Sequence, residues 1–270
     1  TPTNTPTPTV TPTKLKHPHL HQHQGNTNGN TNKTQTPTPT PTPTLTPSAT
    51  PTLQNTYIGN TTLLGNNTTV TFNSVNIGGP GLIVVTVNSK GGVIINSATI
   101  GGISATRSSV RNINDNSVAG IIRARITAGT TANIVLTFAS TTNAVNIGVY
   151  RIQNNISDLS IGSGEIAWTP GINSATRSMA IGTWGSGNTK TVITTVTETG
   201  LTGPIGQDIT FTSSPSTTRN YYQQAANTPT PYYVAAAGTT TLNPGVTSLT
   251  ITANFSGLSN KGSMIGLAFN

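Results

Sequence analysis

The sequence predicts an all-β protein, an antiparallel β-sandwich of the jelly-roll type preceded by an extended arm rich in threonine and proline. From residue 53 onward, short runs rich in Val, Ile and Thr are separated by Gly, Asn and Ser turns. Several runs, such as "TVTF" and "LTIT", alternate apolar and polar residues, which is the period of strands with one buried face. Helical periodicity is missing throughout, so we expect helix only in short turns.

Residues 1–52 form the arm, in which Thr and Pro alternate over long stretches. Proline fixes φ near −65° and biases the preceding residue towards extended geometry, which predicts a stiff, polyproline-II-like rod without a core. Threonine-proline tracts are also typical of O-glycosylated stalks; a bare flexible linker is the alternative. The O-glycan acceptors predicted by the first interpretation are Thr3, Thr5, Thr7, Thr9, Thr11, Thr36, Thr38, Thr40, Thr42, Thr44 and Thr46.

An insert, "HPHLHQHQGNTNGNTN" at residues 17–32, interrupts the arm and contains all four histidines. Alternating imidazoles of His17, His19, His21 and His23 could bind zinc or nickel. Two alternatives are a neutral spacer and a reading-frame artefact. In the second case, the coding sequence of a threonine-proline repeat has been translated one nucleotide out of frame. Because the insert lies outside any predicted core, we expect it to be dispensable and assign no metal site to it.

Residues 53–270 are predicted as one β-sandwich domain, since about 215 residues can bury a full core. The strand-like runs, in chain order, are 68–77, 81–89, 92–100, 119–128, 132–140, 144–152, 178–184, 190–199, 207–214, 247–255 and 263–269. The segment 129–152 resembles 245–270, which suggests an internal duplication with 81–92 and 178–188 as the matching opening strands. Two hairpins of a single jelly roll would give the same pattern.

Composition narrows the classes of function. Only 7% of the residues are charged, and the thirteen Lys and Arg residues that give the net charge of +8 are scattered singly. A nucleic-acid-binding protein would concentrate them on one stripe, so we expect no nucleic-acid partner. No run of eighteen apolar residues exists, so we expect no membrane span.

The same composition leaves few groups for catalysis. The folded part has no histidine, which excludes a Ser-His-Asp triad there, and the absence of cysteine excludes thiolate metal sites. Glu165 and Glu198 are the acid–base pair to consider, as a glycosidase would require two carboxyl groups. The acidic residues form no calcium-binding cluster. We therefore predict no catalytic, cofactor or metal site.

Aromatic residues and glycosylation sequons provide the remaining candidates. Exposed Tyr and Trp rings can stack on sugars or contact another subunit, and core packing is the alternative. These rings are Tyr221, Tyr222, Tyr232, Tyr233, Trp168 and Trp184. The sequence Asn-x-Ser/Thr occurs at Asn32, Asn60, Asn66, Asn67, Asn155 and Asn254, of which Asn60, Asn67, Asn155 and Asn254 are kept as candidate acceptors.

The order "LIVVTV…ATIGGISAT…AGIIRARITAGTTANIVLTF…VNIGVYRI" resembles β-sandwich domains of bacteriophage virion and tail-fibre proteins, over roughly residues 80–270. That resemblance implies a structural or adhesive role and transfers no functional residue. The Thr-Pro tract is similar to stalks of glycan-coated extracellular fibrils, in which threonine and modified proline carry sugars. Covalent glycans, rather than a bound cofactor, are therefore expected.

Together these patterns predict a non-enzymatic structural subunit of an extracellular filament or virion appendage, with copies of itself as partners. Residues 53–72 are the candidate donor strand, because they are the first stretch with apolar anchors. The alternative function is a carbohydrate-binding adhesin at a phage tail or cell surface.

Overall fold

The computed structural model describes residues 51–91, 94–111, 117–168, 174–201, 208–225, 232–259 and 261–270. These residues form fifteen β-strands and no helix. The strands are β1 (Gln54–Asn76), β2 (Gly81–Gly91), β3 (Ile95–Ile100), β4 (Ile103–Ser104), β5 (Thr106–Arg111), β6 (Val118–Ile126), β7 (Thr131–Gln153), β8 (Gly162–Trp168), β9 (Ser174–Ile181), β10 (Lys190–Leu201), β11 (Ile209–Thr212), β12 (Thr218–Ala225), β13 (Tyr232–Leu242), β14 (Leu249–Ser259) and β15 (Lys261–Phe269). The pairings between them are antiparallel, which confirms the predicted all-β fold class.

The first roll, residues 54–153, consists of two layers that share the long strands β1 and β7. The larger layer has the order β5-β6-β2-β7-β1, in which Ala144–Gln153 of β7 pairs with Gln54–Leu64 of β1. The smaller layer has the order β4-β3-β7-β1, built from residues 131–138 of β7 and 69–76 of β1. β1 passes from one layer to the other where its register shifts between Leu64 and Thr69, because the extra residues of a bulge bend a strand.

The second roll, residues 162–269, repeats this topology with separate strands. Its larger layer has the order β12-β13-β10-β15-β8, and its smaller layer has the order β11-β14-β9. β8 and β9 take the places of the two halves of β1, and β14 and β15 those of the two halves of β7. The strands β10, β11, β12 and β13 correspond to β2, β3, β5 and β6. The chain therefore contains the same jelly-roll topology twice.

This repetition bears out one half of the predicted duplication and corrects the other. Segments 129–152 and 245–270 do occupy equivalent positions, as β7 and as β14 with β15. The proposed match of 81–92 with 178–188 is wrong. Residues 81–91 form β2, whose counterpart is β10, whereas 178–181 belong to β9, the counterpart of the second half of β1. Both segments carry Gly after an apolar run, and this local likeness does not reveal which strands pair.

Each roll has its own apolar core between its two layers. In the first roll the core contains Ile83, Val85, Ile122, Ile134 and Leu136, all without measurable exposure. In the second roll it contains Trp168, Val192, Val196, Ile251 and Met264. Burying a side chain of this size contributes roughly 1.5–3 kcal/mol. Each core closes from strands far apart in sequence, because the jelly roll pairs its first strand with its last.

The larger layers of the two rolls pack face to face. Leu82, Val84 and Ile121 of the first roll meet Ile193 and Leu267 of the second in one buried cluster. The contacts are reciprocal: β5 touches β8 and β15, while β12 touches β1 and β7. Such a pattern is what a two-fold interface between identical domains produces. The two rolls are thus related to each other like the two subunits of a symmetric dimer, within one chain.

A fully buried polar network lies in this interface, centred on Asn88 of β2. Its amide nitrogen donates to the Val196 carbonyl at 2.9 Å and to the Thr197 hydroxyl at 2.6 Å. Its amide oxygen accepts from the hydroxyls of Thr195 and Tyr221, both at 2.8 Å. Four hydrogen bonds satisfy a buried asparagine amide completely. Because only one relative position of the two layers allows all four, the network fixes their register.

The segment 154–161 connects the rolls and is anchored by two arginines of β6. The Arg125 guanidinium forms an ion pair with the Asp158 carboxylate, and the Arg123 Nε donates to the Asp158 main-chain carbonyl at 2.9 Å. The hydrogen bond from Arg125 lowers the pKa of Asp158, and burial opposes it. Arg123 also stacks over the Phe269 ring of β15. The Ile161 N–H donates to the Ala268 carbonyl of β15 at 2.8 Å, so the connection is held to both rolls.

Candidate assembly surface

The outer side of β1, named here the β1 edge, is the longest sheet edge in the described part of the chain. Among the described strands, β1 pairs with β7 alone over its 23 residues. In a strand, alternate residues direct their N–H and C=O groups to opposite sides, so half of the β1 backbone groups point away from β7. The segment contains no charged residue and no proline. Of the devices that block an edge strand, charge and proline are missing from β1, and bulges interrupt it at four register shifts.

A groove of about 430 Å³ runs along this edge, between the two halves of β1. It is named the β1 groove, and its lining residues are Ile58, Gly59, Asn60, Thr61, Leu63, Thr71, Phe72, Asn73, Ser74, Val75, Asn76 and Val149. A second hollow shares Leu63 and Thr71 with it and continues past Leu64. Leu63 and Leu64 are 40% and 52% exposed. The surface combines exposed leucines with uncharged polar groups, which a backbone strand can approach without displacing water from an ion.

At the equivalent edge of the second roll, glycines allow the backbones of β8 and β9 to touch, so no groove separates these two strands. A Cβ on Gly164 of β8 would lie 2.2 Å from the Ala180 carbonyl oxygen of β9, so the two backbones are in direct contact. The Gly182 N–H donates to the Ser163 carbonyl at 2.9 Å, and the Trp184 ring lies against Gly162. In the first roll, β1 has larger residues and a groove in this place. The two rolls share a topology but differ at this edge.

Charge and length together distinguish the β1 edge from the other sheet margins of the described residues. The end strands β5, β8, β9 and β12 each carry at least one Arg or Glu, and the uncharged end strands β4 and β11 have only two and four residues. On β12, Arg219 forms an ion pair with Asp208, and its guanidinium lies over the Tyr222 ring. Desolvating such groups opposes the approach of another strand. The β1 edge has no comparable barrier.

Four of the aromatic rings considered for sugar contact are buried. Tyr233 is fully buried and Tyr221 is 6% exposed, in the interface between the rolls. Trp168 and Trp184 are 4% and 7% exposed, and their indole N–H groups donate to Glu198 and to the Val246 carbonyl. These four rings are core and interface packing, so they present no face to a sugar.

Tyr222 gives less access than the sequence suggested. Tyr222 is half-buried and packs against the core of the second roll, and burial raises its pKa. The side chain of Tyr232 lies outside the described residues. The glutamates also separate: Glu165 is exposed on β8, whereas Glu198 is buried and accepts hydrogen bonds from Trp168 and from the Lys261 N–H. Since Glu165 and Trp168 lie on opposite faces of β8, these carboxyl groups do not face one another.

The sequons differ in exposure. Asn60 and Asn67 are exposed on β1, although the Asn60 oxygen accepts from the Tyr57 hydroxyl at 2.8 Å. Asn254 is half-buried on β14, with its amide directed at the Thr212 hydroxyl. Asn155 lies in the connection between the rolls, where its amide nitrogen donates to the Ser157 carbonyl at 2.8 Å. The predicted O-glycan threonines and the histidine insert fall outside the described residues.

The described ranges also lack two other kinds of feature. They contain no group of three or more His, Cys, Asp or Glu side chains arranged to hold a metal ion. They also contain no helix long and apolar enough to cross a membrane.

Comparison with known proteins gives no relative: no family model, curated protein or solved structure matches the chain.

Proposed function

We propose that this protein is a non-enzymatic structural subunit of an extracellular filament or virion appendage, which assembles through β-strand contacts. The observation that carries the proposal is the β1 edge. It is 23 residues long, uncharged and free of proline, and it is bordered by an open groove. An edge of this kind is a template for another strand, and proteins that remain monomeric block theirs.

The rest of the body suits dense packing of copies. With 7% charged residues, its surface can be covered by neighbours at little cost in ion desolvation. A contact between the β1 edge of one copy and a different segment of the next is heterologous, so it generates open helical assemblies when the rotation does not close. The partners are then further copies of the same chain.

The pairing of β1 within its own chain changes its role in the proposed contact between copies. Residues 53–72 were the predicted donor strand, but Gln54–Asn76 are paired with β7 of the same chain. Donating them would require copies to exchange β1 and to break the first roll. We therefore assign the β1 edge to the accepting side of the contact.

The proposal also includes O-glycans on the threonine-proline arm. A glycosylated arm of this kind is expected on an assembly outside the cell. The support is compositional, since Thr-Pro tracts are typical of O-glycosylated stalks. Mass spectrometry of the native subunit should exceed the 27.8 kDa of the polypeptide, with the excess in peptides from residues 1–52. A native mass equal to that of the polypeptide would remove this part of the proposal.

Electron microscopy of the purified full chain across a concentration series tests the assembly. Filaments should form with the unmodified chain and disappear in L63K/L64K, which places two charges on exposed positions of the β1 edge. The matched control is I103K, because Ile103 is also 44% exposed but belongs to β4. Absence of filaments from the unmodified chain, or their persistence in L63K/L64K, would contradict the proposal.

A further inference from the structure

We propose that the strand accepted by the β1 edge is the threonine-proline run Thr34–Pro47 of a neighbouring copy. The inference rests on the proposed function and names the partner of the same surface. It is carried by two independent features: the open, uncharged edge of the first roll, and the spacing of proline in the run.

Proline spacing makes this run able to pair on one side only. In an extended strand, the N–H and C=O groups of one residue point to one side and those of the next residue to the other. Thr occupies every even position from 34 to 46, and Pro occupies 37, 39, 41, 43 and 47. All the threonine N–H groups therefore point to the same side and can pair, while prolines occupy the other side, where they have no N–H to offer. Proline is tolerated in strands at such an outer edge.

The β1 edge offers a matching acceptor. Its stretch Gly59–Leu64 is free of register shifts and pairs with 144–149 of β7. Successive side chains of a strand lie on opposite faces, so all proline rings of the run fall on one face and all threonine side chains on the other. Proline rings on the inner face would meet apolar groove residues such as Ile58, Phe72 and Val75. The threonine hydroxyls then remain outside, where they can carry glycans.

The composition of the chain after the run favours a neighbouring copy over the same molecule. Residues 37–53 contain no Gly, Asn or Asp, the residues that support tight reversals. Proline at positions 47 and 51 favours extended geometry here. At the end of it, the Thr52 carbonyl accepts from the Asn154 side chain at 2.9 Å, and Leu53 packs on the interface between the rolls. A return onto the chain's own β1 edge would need a sharp turn that this sequence lacks.

Length permits the same conclusion. From the anchored Thr52 back to Thr34 there are 18 residues, which span about 56 Å in polyproline-II geometry, at roughly 3.1 Å per residue. A compact body of this size has a radius of gyration of only about 17 Å. One-sided pairing also limits growth: once the run is added, its outer side has prolines instead of donors. The assembly extends from copy to copy but does not broaden into a sheet.

Three variants of the full chain test the assignment by electron microscopy and sedimentation. T38P/T40P/T42P removes three pairing N–H groups and keeps the arm extended, so sedimented filament should fall at least about tenfold, given the contribution of each hydrogen bond. T38A/T40A/T42A removes the same hydroxyls and glycan acceptors but keeps the N–H groups, so filaments should persist. P39A/P41A/P43A restores donors on the outer side, so filaments should form and associate laterally into bundles.

The outcomes separate this inference from the proposed function. If the unmodified chain forms no filaments, the proposed function fails before the donor is tested. Filaments that survive T38P/T40P/T42P but not L63K/L64K would overturn only the donor assignment. Equal loss in the proline and alanine triples would also overturn it, because the hydroxyl or its glycan would then carry the contact. A monomeric unmodified chain that loses thermal stability in the proline triple would show the run pairing with its own edge, which overturns the proposal as well.

Discussion

Replacing Asn88 by alanine should destabilise the body by about 2–3 kcal/mol. The side chain makes four hydrogen bonds within the buried interface, each of which contributes about 0.5–1.5 kcal/mol net. The cost stays in the lower half of that sum, because the partners keep other bonds. Without Asn88, the single Thr195 hydroxyl proton is free to go to the Ala236 carbonyl, Thr197 keeps its bond to the Val118 carbonyl, and Tyr221 stays bonded to Thr86.

The assay is denaturant unfolding of the full chain, followed by tryptophan fluorescence and by circular dichroism. Both tryptophans lie in the second roll, so fluorescence reports that roll and circular dichroism reports both. The matched control is Asn73→Ala, an exposed position of β1, for which we expect a change within about 0.5 kcal/mol. If Asn88→Ala costs no more than Asn73→Ala, the network does not hold the rolls together and the reasoning is refuted.

Three further predictions follow from buried groups and close contacts. Burial raises the pKa values of Tyr150, Tyr221 and Tyr233, so these tyrosines lose their protons in the unfolded chain at a lower pH than in the folded protein. The free energy of unfolding should therefore be constant below about pH 10 and fall above it. Each of the three tyrosines should lower it by up to roughly 1.4 kcal/mol for every pH unit. Titration at 295 nm would contradict this if all six tyrosines ionised together near pH 10 in the folded protein. Gly164→Ala should lower stability by about 1–3 kcal/mol, because its Cβ would meet the Ala180 carbonyl, while Gly59→Ala, which meets nothing within 4 Å, serves as the control in thermal melts. In a host that N-glycosylates this chain, glycopeptide mapping should find sugar at Asn60 and Asn67 but not at Asn155, whose amide nitrogen is held by Ser157 and Asp158; an occupied Asn155 would show that the connection opens before folding is complete.

The histidine insert gives one more test. Substituting threonine for all four histidines should leave assembly and thermal stability unchanged, as expected for a tract outside any core. Loss of filaments, or a micromolar metal affinity that the substitution abolishes, would contradict this. Isothermal titration with zinc of the unmodified and the substituted chain measures the affinity.

The alternating runs predicted most of the central strands, because a strand with one buried face must place apolar residues at every second position. Four other strands were harder to predict. The strand β13 contains "AAAG", and alanine has a low preference for strands, yet these residues are buried between β10 and β12 and within the interface. The strands β5, β8 and β12 are rich in Ser, Thr, Gly and Gln and were not predicted. Their pairing, rather than their own composition, makes them strands.

The chain's residues by themselves determined the all-β class and one pair of duplicated segments, since each follows from local spacing along the chain, and the extended threonine-proline arm stays a prediction. Only the tertiary structure decided that two jelly rolls meet through their larger layers, that Tyr221, Tyr233, Trp168 and Trp184 are buried, and that one edge is open while its counterpart is closed. The physical reason is that burial depends on which strands become neighbours. The local sequence around an aromatic ring next to a turn is the same whether or not a second sheet covers the ring. A glycine likewise predicts a turn, and only the fold shows that the backbone of another strand lies against it.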